Sequence, residues 1–136
     1  MNTPIDRQHL DAIVLGMGCF WGAERRMGAL PGVIEVESGY ANGEVPGTYE
    51  SVLDTERARK LGLTGKRNHA EVVRVVFDTR QTTLVAMLAG FWENHDPTHG
   101  DRQGNDIGSN YRSAIYTHGQ AQQDIALKTR DAYQQA

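Results

Sequence analysis

A single cysteine, Cys19, stands in the run Gly16-Met17-Gly18-Cys19-Phe20-Trp21-Gly22. A lone thiol is an inert core filler, a regulatory group or a nucleophile, and spacing alone leaves all three open. Nucleophilic use needs a setting that favours thiolate, and the exposed N–H groups and dipole of a helix N-terminus supply one. Cys19 falls where the periodicity predicts the first turn of a helix. Gly16 and Gly18 let the chain turn sharply there and let a second molecule approach the backbone. Phe20 and Trp21 form either a wall against which an S-methyl group packs or simply part of the core; such sulfur and methyl contacts to rings are favourable by about 0.3–1.5 kcal/mol. The other chemically suggestive group is Glu71. In the β-branched run from Glu71 to Phe77, strand parity puts Glu71 on the face of Val73, Val75 and Phe77. A carboxyl on an apolar face is expected to keep its proton near neutral pH and so to act as a donor. Its plain alternative is a surface acid on an edge strand. His95, Asp96, His99 and Asp101 are close in sequence but match no zinc spacing, and no metal is expected.

The elements that must position these groups follow from periodicity and chain breakers. Ala12 to Leu15 reads as a strand, the glycines as a tight turn, and Cys19 to Leu30 as a helix with Phe20, Ala23, Met27 and Leu30 at its apolar positions. Pro31 and Gly32 end it, Val33 to Tyr40 alternates as a second strand, and residues 41–47 are turn formers. Residues 54–68, carrying Arg57, Arg59, Lys60, Lys66 and Arg67, read as a solvated basic loop; docking of an acidic partner is the alternative. After the strand Glu71–Phe77, the residues Leu84, Met87, Leu88 and Phe91 fall at i, i+3, i+4 and i+7, which predicts a helix to Asn94. Residues 95–110 read as a long polar loop, Tyr111 to Tyr116 as a last strand, and Gln120 to Ala136 as a weakly amphipathic helix without the Gly or Pro that usually follows one. The order matches the split β-α-β pattern of a ferredoxin-like sandwich, an α+β fold with long loops and an appended C-terminal helix.

At 136 residues and 39% hydrophobic content the chain suits one domain, 1–136, and is too short for two. A net charge of −3 gives no basic field, so nucleic acid and anionic membrane surfaces are not expected partners. The polar segment Met1–Asp11 lacks the apolar core of a secretory signal, and no stretch approaches the ~18 apolar residues of a membrane span. A cytoplasmic monomer is expected.

Gly18-Cys19-Phe20-Trp21-Gly22 resembles the signature of the A-type peptide methionine sulfoxide reductases. The resemblance recurs in Leu30-Pro31-Gly32-Val33, Gly39-Tyr40-Ala41, Thr48-Tyr49-Glu50 and His69-Ala70-Glu71-Val72-Val73. It is densest in Phe91-Trp92-Glu93-Asn94-His95-Asp96-Pro97 and in Arg102-Gln103-Gly104-Asn105-Asp106, running on to Tyr111-Arg112-Ser113-Ala114-Ile115-Tyr116. It implies that Cys19 attacks a sulfoxide sulfur and that Phe20 and Trp21 hold the S-methyl group. By the same resemblance Glu71 protonates the sulfoxide oxygen, Tyr49 and Tyr111 hold it by their hydroxyls, and Asp106 orients the substrate or its water. The implied reaction reduces methionine sulfoxide, free or in oxidised proteins and of S configuration at sulfur, and leaves a sulfenic acid on Cys19.

Many family members resolve that sulfenic acid with C-terminal cysteines. This chain has none, and the family's C-terminal portion, with a further tyrosine segment, is absent after Ala136. The expectation is therefore no bound cofactor and an external thiol reductant: thioredoxin, glutaredoxin with glutathione, or a small dithiol. Two other readings stand beside it. Cys19 could serve a hydrolase or acyl transferase with His69 as its base, or the chain could be a shortened, non-catalytic binder of methionine sulfoxide or of a partner.

Overall fold

The structure, a computed structural model, describes residues 7–104 and 106–134. After a 3-10 turn at Arg7–His9 come β1 (Leu10–Gly16), α1 (Phe20–Gly28), β2 (Val33–Ala41), α2 (Tyr49–Lys60), β3 (Ala70–Asp78) and α3 (Leu84–Glu93). The short strands β4 (Arg102–Gln103) and β5 (Asp106–Ile107) pair with each other. A 3-10 turn at Ser109–Tyr111, β6 (Ala114–Tyr116) and α4 (Gly119–Gln134) follow.

The main sheet has the order β2-β3-β1-β6, and every neighbouring pair is antiparallel. β1 and β2 both run against β3, so they are parallel to each other and α1 crosses over β3 to join them. The alternation in β3 explains which face the helices cover. Glu71, Val73, Val75 and Phe77 are all buried on one side, where Ile13 and Leu15 of β1 join them against Ala23 and Met27 of α1 and Leu84, Met87, Leu88 and Phe91 of α3. On the other side Val72 and Val76 are also buried, with Arg74 exposed between them. Thr83 caps α3 by accepting from the Ala86 N–H at 3.1 Å, and the Trp92 indole donates to Thr129 at 3.1 Å, which ties α3 to α4. The mixed helix-and-sheet architecture read from the sequence is present. Among the described residues no helix is long and apolar enough to cross a membrane.

Three boundaries differ from the sequence reading. Half of the supposed basic loop 54–68 belongs to α2. This helix has few apolar positions, burying only Val52, Thr55 and Glu56, so periodicity misses it. It is held by propensity and by its ends: Thr48 accepts from the Ser51 N–H at 3.2 Å, and Arg57, Arg59 and Lys60 lie in the last turn, where cations complement the dipole. The polar segment 95–110 contains the β4–β5 hairpin. Tyr111 does not begin the last strand; it closes a 3-10 turn, donating its N–H to the Gly108 carbonyl at 3.0 Å, and β6 starts only at Ala114. The expected helix over Gln135 and Ala136 lies outside the described residues.

Candidate active site

Cys19 is the N-cap residue of α1, and its carbonyl accepts the first helical hydrogen bond from the Ala23 N–H at 3.1 Å. The thiol is half-buried. Gly18 before it has φ +99°, and a Cβ there would lie 2.7 Å from Cγ of Gln103, so both backbone conformation and space require glycine. Gln103 is held in turn by Asp96, accepting from its N–H at 2.9 Å and donating to its carbonyl at 2.8 Å. The β4–β5 hairpin thereby closes one side of a cleft of about 330 Å³, which Cys19 lines together with Met17, Arg26, Asn94, Gln103 and Asp106.

Glu71, only 4% exposed, reaches the start of α1 from β3. One carboxyl oxygen accepts from the Phe20 N–H at 3.4 Å, which places it against the first turn of the helix that Cys19 heads. The other accepts from the Asn110 side-chain amide at 3.0 Å. Burial raises the pKa of Glu71 above the ordinary carboxyl range; these two hydrogen bonds offset part of the rise, and the charge of Asp106 adds to it.

Around this pair stand three tyrosines. Burial and then the Glu71 charge raise the pKa of Tyr111; the Asn110 side chain opposes this, while Asp106 and Cys19 reinforce it. Tyr40, on β2 directly opposite Glu71, is pushed up to about 12 by burial and then by Glu71, Tyr49, Tyr111 and Cys19. Tyr49, the first residue of α2, is half-exposed at 54%. Phe20 packs against the core, its ring centroid 5.4 Å from that of Tyr40, whereas Trp21 is 71% exposed. The structure places Cys19 and Asp106 on the cleft and Glu71 against the first turn of α1, between the Phe20 N–H and the Asn110 amide; Tyr111 follows Asn110 in the 3-10 turn, Tyr49 heads α2, and Trp21 is exposed.

His69 is not placed to serve Cys19. Its Nδ1 accepts from the Gly43 N–H at 3.0 Å and its Nε2 faces the Val45 carbonyl at 2.6 Å, so the loop after β2 occupies both ring nitrogens. His95 is likewise engaged, by the Phe91 carbonyl and the Ser113 hydroxyl, and His99 pairs with Asp96 at 3.0 Å. Among the described residues no group of three or more His, Cys, Asp and Glu is arranged to hold a metal ion.

Two members of the site escaped the sequence reading. Tyr40 was seen only as part of a matching segment, since its place opposite Glu71 depends on strand register. Asn110 gave no signal within a polar loop. Behind Asn110 lies a support. The buried Glu56 of α2 accepts from the Ser109 N–H at 3.2 Å, from the Ser109 hydroxyl and from the Asn68 amide at 3.0 Å. Burial by itself would raise the pKa of Glu56, but these hydrogen bonds outweigh it and hold the carboxyl below its ordinary range.

A sequence profile described as peptide methionine sulfoxide reductase matches residues 11–136, and the chain belongs to that family. Peptide methionine sulfoxide reductase MsrA of Vibrio parahaemolyticus is 56% identical over 129 residues, which are 94% of this chain and 56% of that protein. Among solved structures, methionine sulfoxide reductase A of Corynebacterium diphtheriae aligns with a TM-score of 0.70 at 38% identity, covering 90% of this chain and 57% of that one. Mxr1 of Saccharomyces cerevisiae in reduced form aligns with a TM-score of 0.77 at 29% identity, covering 96% and 72%; that protein is also known in complex with Trx2. The chain spans about half the length of the curated relatives it matches.

Proposed function

We propose that the chain is a peptide-methionine (S)-S-oxide reductase that works with an external thiol. One observation carries this reading: a buried carboxyl of raised pKa, Glu71, is held by the backbone N–H of the residue that follows the only cysteine. Thiolate and proton donor can then act on the two atoms of one S–O group. Cys19 attacks the methionine sulfur while Glu71 protonates the oxygen, turning a poor leaving group into a good one. Tyr49 and Tyr111 hold the oxygen, Phe20 and Trp21 receive the S-methyl group, and Asp106 orients the substrate or its water. The oxygen passes to Cys19: methionine sulfur is reduced by two electrons, the thiol is oxidised to sulfenic acid, and no cofactor is consumed.

Two equivalents of an external thiol then return Cys19 to the thiol state and release water, with formation of a disulfide in the reductant. A thioredoxin, glutaredoxin with glutathione, or a small dithiol fits this step, and the Trx2 complex of yeast Mxr1 makes a protein dithiol the first to try. The need for a steady thiol supply fits a reducing cytoplasm. The strand order and the crossover of α1 support one domain of ferredoxin-like split β-α-β type; a monomer is part of the same proposal.

A single-turnover reaction tests the reading. The reduced chain, mixed with S-methionine sulfoxide without reductant, should release about one equivalent of methionine and show one added oxygen on Cys19 by mass spectrometry. Dithiothreitol should convert this into many turnovers. Folded chain that releases no methionine refutes the proposal, and folded chain that binds the sulfoxide without product makes it a binding protein instead.

A further inference from the structure

Tyr40 and Glu71 are partners in the β2–β3 register, so their side chains leave the sheet on the same face. The Tyr40 ring rests on Phe20 at 5.4 Å between centroids and lies 6.4 Å from the His69 ring. This packing fixes the ring, yet its hydroxyl oxygen is buried and has no hydrogen-bond partner among the described residues. Glu71, the nearest polar neighbour across the strands, directs its oxygens to the Phe20 N–H and the Asn110 amide instead. Among the described residues the one other buried hydroxyl in this condition belongs to Tyr116, on the edge strand β6.

Buried polar groups in folded proteins almost always find partners, and an exception beside a chemical site marks a group kept for something other than stability. The strand register and the ring contact with Phe20 set this hydroxyl beside the acid and the start of the helix that Cys19 heads, and burial, followed by the charge of Glu71, raises its pKa. A sulfoxide oxygen carries lone pairs for more than one donor and gains negative charge as the S–O bond is broken.

We infer that Tyr40 is a further substrate-contacting residue, whose hydroxyl donates a hydrogen bond to the sulfoxide oxygen from the strand opposite Glu71. The inference rests on the reading of the cleft as a methionine sulfoxide site. Phenylalanine at position 40 keeps the ring on Phe20 and removes only the donor, so Tyr40→Phe separates this role from packing.

The experiment measures binding in a Cys19→Ser background, where no turnover intervenes. The probes are N-acetyl-methionine-S-sulfoxide amide and the corresponding sulfide, which lacks the oxygen. Adding Tyr40→Phe should weaken sulfoxide binding about five- to tenfold, leave sulfide binding unchanged, and leave the melting temperature unchanged or raised, because a buried hydroxyl without a partner has been removed. Equal sulfoxide affinity with and without the hydroxyl overturns the inference and leaves the proposed function standing. Loss of both affinities together with a lower melting temperature also overturns it, because the hydroxyl would then be structural. If folded Cys19→Ser chain binds neither probe, the sulfoxide-site reading itself fails and the inference falls with it.

Discussion

The side-chain amide of Asn110 donates to Glu71 at 3.0 Å, and so joins the loop after β5 to the acid of the central sheet. This bond favours the carboxylate form and opposes the rise in pKa that burial imposes. A general acid works only while protonated, so single-turnover activity that depends on Glu71 falls as pH rises through its pKa. Asn110→Ala removes the opposing bond and raises that pKa further. The descending limb of the pH–rate profile for methionine release should therefore move to higher pH. A limb that stays in place or moves down would show that Glu71 is not the titrating acid.

Glu71→Gln keeps the shape of the side chain but cannot deliver a proton. Methionine release should slow by about 10²–10⁴-fold, the usual range for a positioned acid, and Cys19→Ser should abolish it. The stability effect has the opposite sense. A carboxyl whose folded pKa lies above its unfolded value costs stability as pH rises through the folded pKa. The glutamine variant should therefore melt at or above the wild-type temperature at pH 8, which calorimetry can check.

How far the sequence disclosed all this depends on the kind of signal each part carries. The helices α1 and α3 stand out because Ala23 and Met27, or Leu84, Met87, Leu88 and Phe91, repeat at helical spacing and do form the core. Parity alone puts Glu71 on the helix-covered face of β3. Helix α2 was invisible because its buried positions include Thr55 and Glu56, polar residues that satisfy hydrogen bonds instead of filling an apolar stripe. Tyr111 was misplaced because a tyrosine before Ala114-Ile115-Tyr116 reads as strand, whereas local hydrogen bonds to Gly108 and Ser109 curl the chain there. Asn110 and Tyr40 come beside Glu71 through loop course and register, neither of which leaves a periodic trace.

Gly18 meets Gln103 so closely that the two constrain one another. Gly18→Ala would add a side chain at φ +99° and 2.7 Å from Gln103 Cγ. The cost should be about 1–3 kcal/mol of stability, by analogy with other strained backbone positions. Denaturant unfolding would report it, with slower alkylation or faster proteolysis at the β4–β5 hairpin as a local sign. A midpoint equal to wild type would show that the hairpin simply moves aside.

Acid should unfold the chain through carboxylates that the fold holds ionised. The pKa of Asp78 is lowered to about 2 by hydrogen bonds from the Arg80 guanidinium and backbone, and that of Glu56 is lowered by Ser109 and Asn68 against the effect of burial. For a depressed pKa, the stabilisation is complete above the unfolded value and is lost as pH falls toward the folded one. The contribution of these two groups should therefore be constant near neutrality and decline from about pH 4.5 down to about pH 2. In Glu56→Gln the decline should be shallower, with lower stability at pH 7 by about 1–3 kcal/mol for the charged bonds lost. Parallel acid transitions in the two proteins would remove Glu56 from the account.

The placement of β1 at the inside of the sheet, between β3 and β6, also sets a timetable. As the chain leaves the ribosome, the thiol comes first, the acid only after β3 is made, and the amide that steadies the acid after the β4–β5 hairpin. Contacts of such long separation in sequence form late in folding. The nascent chain thus carries Cys19 without its partner acid until β3 is made, and that acid without its amide until residue 110 follows.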